Sequence, residues 1–181
     1  MSWRALASAL MAALLMVACA SMPQITAPVA GETLSGRLAV RIEADANTNT
    51  AARSESVTFD LQGNAEAGRL NLSTPLGSVL AQARWAPGAV VLATPQGERR
   101  FADMDGLTRE VLGESVPVIA LFDWLRGRPW PGAPSVASQA PAEAGFAQLG
   151  WSVSLARLDD GLIVARRERS PIVTVRAKLD R

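Results

Sequence analysis

Hydrophobic and polar residues alternate with a period of two through most of the chain. This alternation is typical of β-strands that bury one face and expose the other. One such strand is expected to bury Val79, Ala81, Ala83 and Trp85. Pro-Gly, Gln-Gly and Asp-Gly turn signals separate the segments, which together predict an antiparallel meander. The alternating segments are 37–43, 56–62, 70–72, 79–85, 90–93, 151–155, 162–165 and 173–179.

Two stretches change to the helical period. The first helix is expected over 103–112, with Asp103 as its N-cap and Gly113 as its stop. The second, over 116–126, is apolar around almost its whole axis, so it must be buried or must cover an apolar surface. Residues 128–146 are rich in Pro, Ala, Gly and Ser and predict a loose loop. The pattern therefore favours a mainly β domain, a curved antiparallel sheet whose apolar face is covered by two helices.

A turn within 70–80 carries an apolar residue where a polar one is usual. The segment reads LNLSTPLGSVL, with Pro75 and Gly77 at the second and fourth turn positions and Leu76 between them. Leu76 either folds back onto a neighbouring strand or points into water as an exposed tip. Burying one leucine contributes about 1.5–3 kcal/mol, too little for an anchor.

The N-terminal residues predict export and lipid attachment. Arg4 precedes an apolar run that ends just before Cys19, the one cysteine of the chain. The run is too short for a comfortable membrane span and fits a secretory signal. The junction at Cys19 resembles the lipobox of bacterial lipoproteins, in which the cysteine is acylated and becomes the first mature residue. The alternative is an ordinary signal peptide with an incidental cysteine.

The composition argues against catalysis and against nucleic-acid binding. The chain has no His, no Tyr and a single Lys, Lys178, which removes most nucleophile–base pairs and proton relays. We expect neither a metal nor a cofactor. Loss of Arg4 with the signal leaves 17 basic (18 less one) and 17 acidic residues. Basic pairs such as Arg99-Arg100 and Arg166-Arg167 are interpreted as solvated strand ends, and nucleic acid is not an expected partner.

Four segments carry a resemblance to a known family. They are SGRLAVRI at 35–42, LNLSTPLGSVLAQ at 70–82, RRFAD at 99–103 and VLGESVPVIALFDWLRGRP at 111–129. In this order they resemble LolB, the outer-membrane lipoprotein family that receives other lipoproteins from the periplasmic carrier LolA. The match runs from about residue 34 to the end of the chain.

The resemblance implies a fold and a function. The fold is a half-open antiparallel β-barrel closed by helices, over a single domain at 34–181 that follows a signal peptide at 1–18 and a lipidated tether at 19–33. The function is to receive lipoprotein acyl chains from LolA and to incorporate them into the outer membrane. The implied partners are LolA, the acyl chains of the cargo and outer-membrane phospholipid, and we expect a monomer, lipid-anchored on the periplasmic face.

The resemblance also assigns residues. Pro75, Leu76 and Gly77 would form a protruding loop that contacts the membrane. Alternation and helix facing suggest an acyl cavity between sheet and helices, lined by Val40, Phe59, Leu61, Leu72, Leu121, Phe122 and Leu125. Two alternatives remain open: a scaffold lipoprotein in which these residues fill a solid core, and a lipid-processing enzyme.

Overall fold

A computed structural model describes residues 32–180 of the chain. The predicted signal peptide at 1–18, the acylation site Cys19 and most of the tether lie outside the described residues. No helix within 32–180 is long and apolar enough to cross a membrane.

The described chain folds as one mainly β unit of eleven strands and two α-helices. The strands are β1 Thr33–Ile42, β2 Arg53–Gly63, β3 Gly68–Ser73, β4 Val79–Ala86, β5 Ala89–Thr94, β6 Gly97–Phe101, β7 Ser135–Ala137, β8 Gly145–Gln148, β9 Trp151–Arg157, β10 Leu162–Arg167 and β11 Val173–Leu179. The helices are α1 Met104–Leu112 and α2 Val118–Trp124, and a short 3-10 turn covers Leu158–Asp160.

All strand pairs are antiparallel, and they form a single sheet in the order β6-β5-β4-β3-β2-β1-β11-β10-β9-β8-β7. Strands β1 and β11, the first and last in sequence, pair at the centre of the sheet, where Val40 lies opposite Val175. Strands β6 and β7 are the two edges, so the sheet is not closed. Alternate residues of the central strands, among them Phe59 and Leu61, form the core on one face.

Local sequence explains the helix limits. The Asp103 carboxylate accepts from the Gly106 backbone N–H at 2.6 Å, and Gly113 ends α1 in the left-handed conformation with φ of 77°. The second helix is two residues shorter at each end than the predicted 116–126. Pro117 stands at its N-cap. At its C-terminal end the Arg126 backbone N–H donates to the Asp123 carbonyl, three residues back, and this tighter turn ends the α-helical pattern.

Three sequence expectations are wrong. Val79 is 63% exposed rather than buried, because an irregular register between Leu72 and Ser73 interrupts the alternation where β4 begins. The expected loose loop at 128–146 contains strand β7 and the start of β8, because a strand of three residues such as β7 is too short to show an alternating pattern. Arg167 is not a solvated strand end: it is 3% exposed and ion-paired with Glu114.

Candidate functional site

The β3–β4 turn is the most exposed apolar feature of the described chain. The Gly77 backbone N–H donates to the Thr74 carbonyl at 2.9 Å, which closes the four-residue turn expected from Pro75 and Gly77. Leu76 is 95% exposed. Its side chain therefore points outward, and the alternative in which it folds back onto a strand is wrong.

The turn is held firmly at its root. The Thr58 hydroxyl of β2 lies 2.8 Å from the Ser73 hydroxyl and 3.1 Å from the Ser73 carbonyl. The Thr74 hydroxyl accepts from the Ser78 backbone N–H at 3.1 Å. Gly77 has φ of +88°, a conformation that a residue with a Cβ rarely adopts. These hydrogen bonds hold the tip of the turn in an ordered conformation. The contact of Pro75, Leu76 and Gly77 with a membrane stays a prediction.

Two further apolar side chains follow the tip. Val79 is 63% exposed and Leu80 is 42% exposed, directly after the turn on β4. Sequence reasoning missed Val79 as a surface residue, because it assigned Val79 to the buried face. With Leu76 they form an exposed apolar cluster at one end of the sheet.

The residues predicted to line an acyl cavity are brought together by the fold. Six of them are buried in one continuous hydrophobic cluster, and Leu72 is partly buried against it. Their side chains occupy the space between the sheet and α2, so the interior is filled by the protein itself. The six buried members are Val40, Phe59, Leu61, Leu121, Phe122 and Leu125.

Helix α2 bridges two distant parts of the sheet. Phe122 meets Trp85 of β4 edge to face, with ring centroids 5.4 Å apart. Trp124 contacts both Phe146 of β8 and Trp151 of β9, at centroid distances of 6.3 Å. In a flat sheet β4 and β9 would be about 29 Å apart, six strand spacings, whereas a helix of this length spans only about 10 Å. The sheet must therefore curve around α2.

Gln148 fixes the C-terminal end of α2. Its carbonyl oxygen accepts from the Trp124 indole N–H at 2.8 Å and from the Trp130 backbone N–H at 2.9 Å. Its amide group donates to the carbonyls of Trp130 and Ala133 at 2.7 and 2.8 Å. All four hydrogen-bonding positions of this buried amide are thus used. No pattern in the sequence pointed to Gln148.

An open cleft of about 500 Å³ lies beside α2. Phe122 is the only predicted cavity residue that reaches it, and charged residues including Arg126 and Arg128 stand around it. Arg128 pairs with Asp123 at 2.7 Å, and Arg126 pairs with Glu32 at 2.9 Å. The cleft includes the β2–β3 connection, so it lies at the opposite end of the sheet from the Leu76 turn. Within 32–180 no group of three or more potential metal ligands is found.

These features define a class of protein, in which a curved, open antiparallel sheet carries its apolar face inward beneath helices. The model of the family described as "Outer membrane lipoprotein LolB" matches residues 33–169. The outer-membrane lipoprotein LolB of Bordetella petrii is 35% identical over 162 residues, covering 84% of this chain and 80% of the relative. LolB of Cupriavidus pinatubonensis is 36% identical over 147 residues, covering 78% of this chain and 70% of the relative. The chain belongs to the LolB family of outer-membrane lipoproteins.

Proposed function

We propose that this protein receives lipoproteins from the periplasmic carrier LolA, holds their acyl chains in the apolar interior between sheet and helices, and incorporates them into the outer membrane. The observation that carries the proposal is the burial of the second helix, α2, against the open sheet. Six of its seven residues are buried, and it covers the apolar face of a sheet that does not close. Membership in the LolB family of outer-membrane lipoproteins supports the carrier and the cargo that we propose.

The finer fold that we propose is a half-open β-barrel of the LolA/LolB type, covered by α1 and α2. The aromatic contacts of α2 with β4 and with β9 support it, because one short helix spans the opening of the curved sheet. The edges β6 and β7 would leave one side open.

Transfer requires no covalent chemistry. Each methylene withdrawn from water contributes roughly 0.8 kcal/mol, so an acyl chain needs continuous apolar cover along its route. Because side chains fill the interior, the helices must shift to admit an acyl chain. The residues that would then contact the acyl chain are Val40, Phe59, Leu61, Leu72, Leu121, Phe122 and Leu125. The direction of transfer would follow the order of affinities for acyl chains: LolA, this protein, then the bilayer.

Release would occur where the Leu76 turn meets phospholipid. The apolar cluster of Leu76, Val79 and Leu80 is exposed enough to enter the interface between headgroups and acyl chains. One leucine side chain contributes about 1.5–3 kcal/mol, which suits a brief contact rather than anchoring. We propose that the protein acts in this step as a monomer.

Permanent attachment would come from acylated Cys19. Two or more acyl chains hold a protein firmly on a bilayer, whereas one chain binds marginally. Replacing Cys19 with Ala is expected to release the protein from the membrane fraction of cells. A Cys19→Ala protein that stays in the outer-membrane fraction would contradict acylation at this position.

The decisive experiment is a transfer assay. A radiolabelled lipoprotein bound to purified LolA is mixed with protein that lacks residues 1–19, and the label is followed by separating the two proteins. The label is expected to move to this protein without nucleotide or metal. Retention of all label on LolA would overturn the proposal.

The filled interior favours a second candidate, a scaffold lipoprotein with a solid core. A fluorescent fatty acid separates the two functions. Uptake of the probe and its displacement by lipoprotein support the receptor, whereas no uptake of any lipid probe supports the scaffold.

A further inference from the structure

The outer face of the two central strands carries a row of cations that the proposed acyl route does not use. On this face Arg37 of β1 lies directly opposite Lys178 of β11. Two residues further along β1, Ala39 lies opposite Arg176. Arg41 follows at the end of β1, opposite Thr174. Opposite positions are about 5 Å apart and diagonal ones about 7–8 Å apart. We name Arg37, Arg41, Arg176 and Lys178 the basic face.

The three arginines of the basic face are exposed and unneutralised. Within residues 32–180, Arg37, Arg41 and Arg176 make no ion pair and no side-chain hydrogen bond. Two like charges directly opposite each other, as at Arg37 and Lys178, destabilise a sheet. The Lys178 ammonium donates to the Asp160 backbone carbonyl, whereas the three guanidinium groups are left to interact with groups outside residues 32–180.

The neighbouring strand offers hydroxyl groups rather than carboxylates. Ser54, Ser56 and Thr58 of β2 lie opposite Arg41, Ala39 and Arg37 respectively. Two carboxylates flank the row. Asp60 of β2 lies opposite Ser35 and diagonal to Arg37, and Glu43 follows Arg41 but is ion-paired with Arg166. Guanidinium and hydroxyl groups are the donors that phosphate oxygens accept most readily.

The basic face adjoins the apolar turn through one residue. Thr58 is the direct neighbour of Arg37 on one side, and on the other it pairs with Ser73 and holds the root of the Leu76 turn. Arg37 and the turn root are thus two strand spacings apart, about 10 Å. An apolar tip beside a cluster of cations is the usual composition of a surface that binds anionic membranes.

We propose that the basic face binds the phosphate groups of anionic phospholipids and so orients the protein with its Leu76 turn toward the bilayer. This rests on the membrane contact in the proposed function and adds to it a headgroup class and a docking surface. The 13 residues at 20–32 can span at most about 45 Å, enough for a protein anchored at Cys19 to turn this face to the membrane.

The test uses the full mature, acylated protein in vesicles. A polarity-sensitive dye is attached at Val164→Cys, a partly exposed position of β10 directly opposite Arg176. Vesicles of phosphatidylcholine are compared with vesicles that also contain phosphatidylglycerol, at low and at high salt. The dye is expected to shift to an apolar environment only with phosphatidylglycerol, and high salt should abolish the shift because it screens the charges.

Two charge-matched double variants decide the assignment. R37Q/R176Q should lower the equilibrium constant for dye contact roughly 30-fold, since each cation near an anionic surface contributes about fivefold. R99Q/R109Q removes two exposed cations elsewhere and should leave the shift unchanged. Equal shifts in both vesicle types, or a shift that survives R37Q/R176Q, would overturn the proposal.

Two other outcomes separate this proposal from the function on which it rests. A shift on addition of soluble LolA but not of phosphatidylglycerol would assign the basic face to a protein partner, and would overturn the lipid assignment. Vesicle flotation and cargo transfer are measured on the same samples without reference to the dye. Failed transfer with an intact phosphatidylglycerol-dependent shift would count against the receptor function alone.

Discussion

The buried guanidinium of Arg167 on β10 is paired with the carboxylate of Glu114, 2.7 Å away in the connection between α1 and α2. The Arg167 side chain is 4% exposed, and it also donates to the Pro171 carbonyl and lies over the Trp151 ring. Glu114 is its one carboxylate partner within 32–180. The ion pair therefore attaches the helical cover to the sheet.

Glu114→Gln should loosen that attachment. It leaves a buried cation without its counter-charge, and we expect a loss of about 1–3 kcal/mol in the free energy of unfolding. Hydrogen exchange should accelerate more in 104–124 than in β1. Glu110→Gln is the control, because the Glu110–Arg99 pair is exposed on both sides and should contribute under about 1 kcal/mol. Equal effects of the two variants would show that the Arg167 pair does not hold the helices.

Gln148→Leu should destabilise the end of α2. The substitution leaves the Trp124 indole N–H and the Trp130 backbone N–H without their acceptor in a buried environment. We expect the free energy of unfolding in urea to fall by about 2–4 kcal/mol. Gln96→Leu, in the exposed β5–β6 turn, should change it by less than about 0.5 kcal/mol. A neutral Gln148→Leu would mean that water or other groups replace the amide.

Leu76→Glu should separate cargo binding from cargo release. The side chain is 95% exposed, so the fold and the uptake of acyl chains should be unchanged. Transfer to lipid vesicles should slow roughly 10- to 100-fold, since the leucine would contribute about 1.5–3 kcal/mol in the membrane interface. Val136→Glu, at a 70% exposed position on β7, is the matched control and should transfer normally. Loss of folding or of uptake in Leu76→Glu would contradict the separation.

The regular parts of the fold could be predicted because local signals agree with the tertiary structure. Alternation placed Phe59 and Leu61 inward, and the Asp103 cap and Gly113 stop marked α1. The exposure of Val79 could not be predicted, because it results from an irregular register between β3 and β4 that the sequence of β4 alone does not show.

The candidate site was only partly predictable for a related reason. Periodicity shows which face of a strand is buried but not how far the sheet curves. The contact between Phe122 and Trp85 therefore could not be predicted from periodicity. A buried arginine such as Arg167 looks like a surface residue until its partner is known. The Leu76 turn was identified because Pro75 and Gly77 specify its shape locally.

Whether acyl chains enter the interior beneath α2 can be measured by photo-crosslinking with a lipoprotein whose acyl chains carry a diazirine. After transfer from LolA and irradiation, mass spectrometry locates the modified residues. Adducts are expected on inward residues such as Phe59, Leu61 and Leu121. Adducts confined to exposed residues such as Leu76 and Val136 would contradict entry beneath α2.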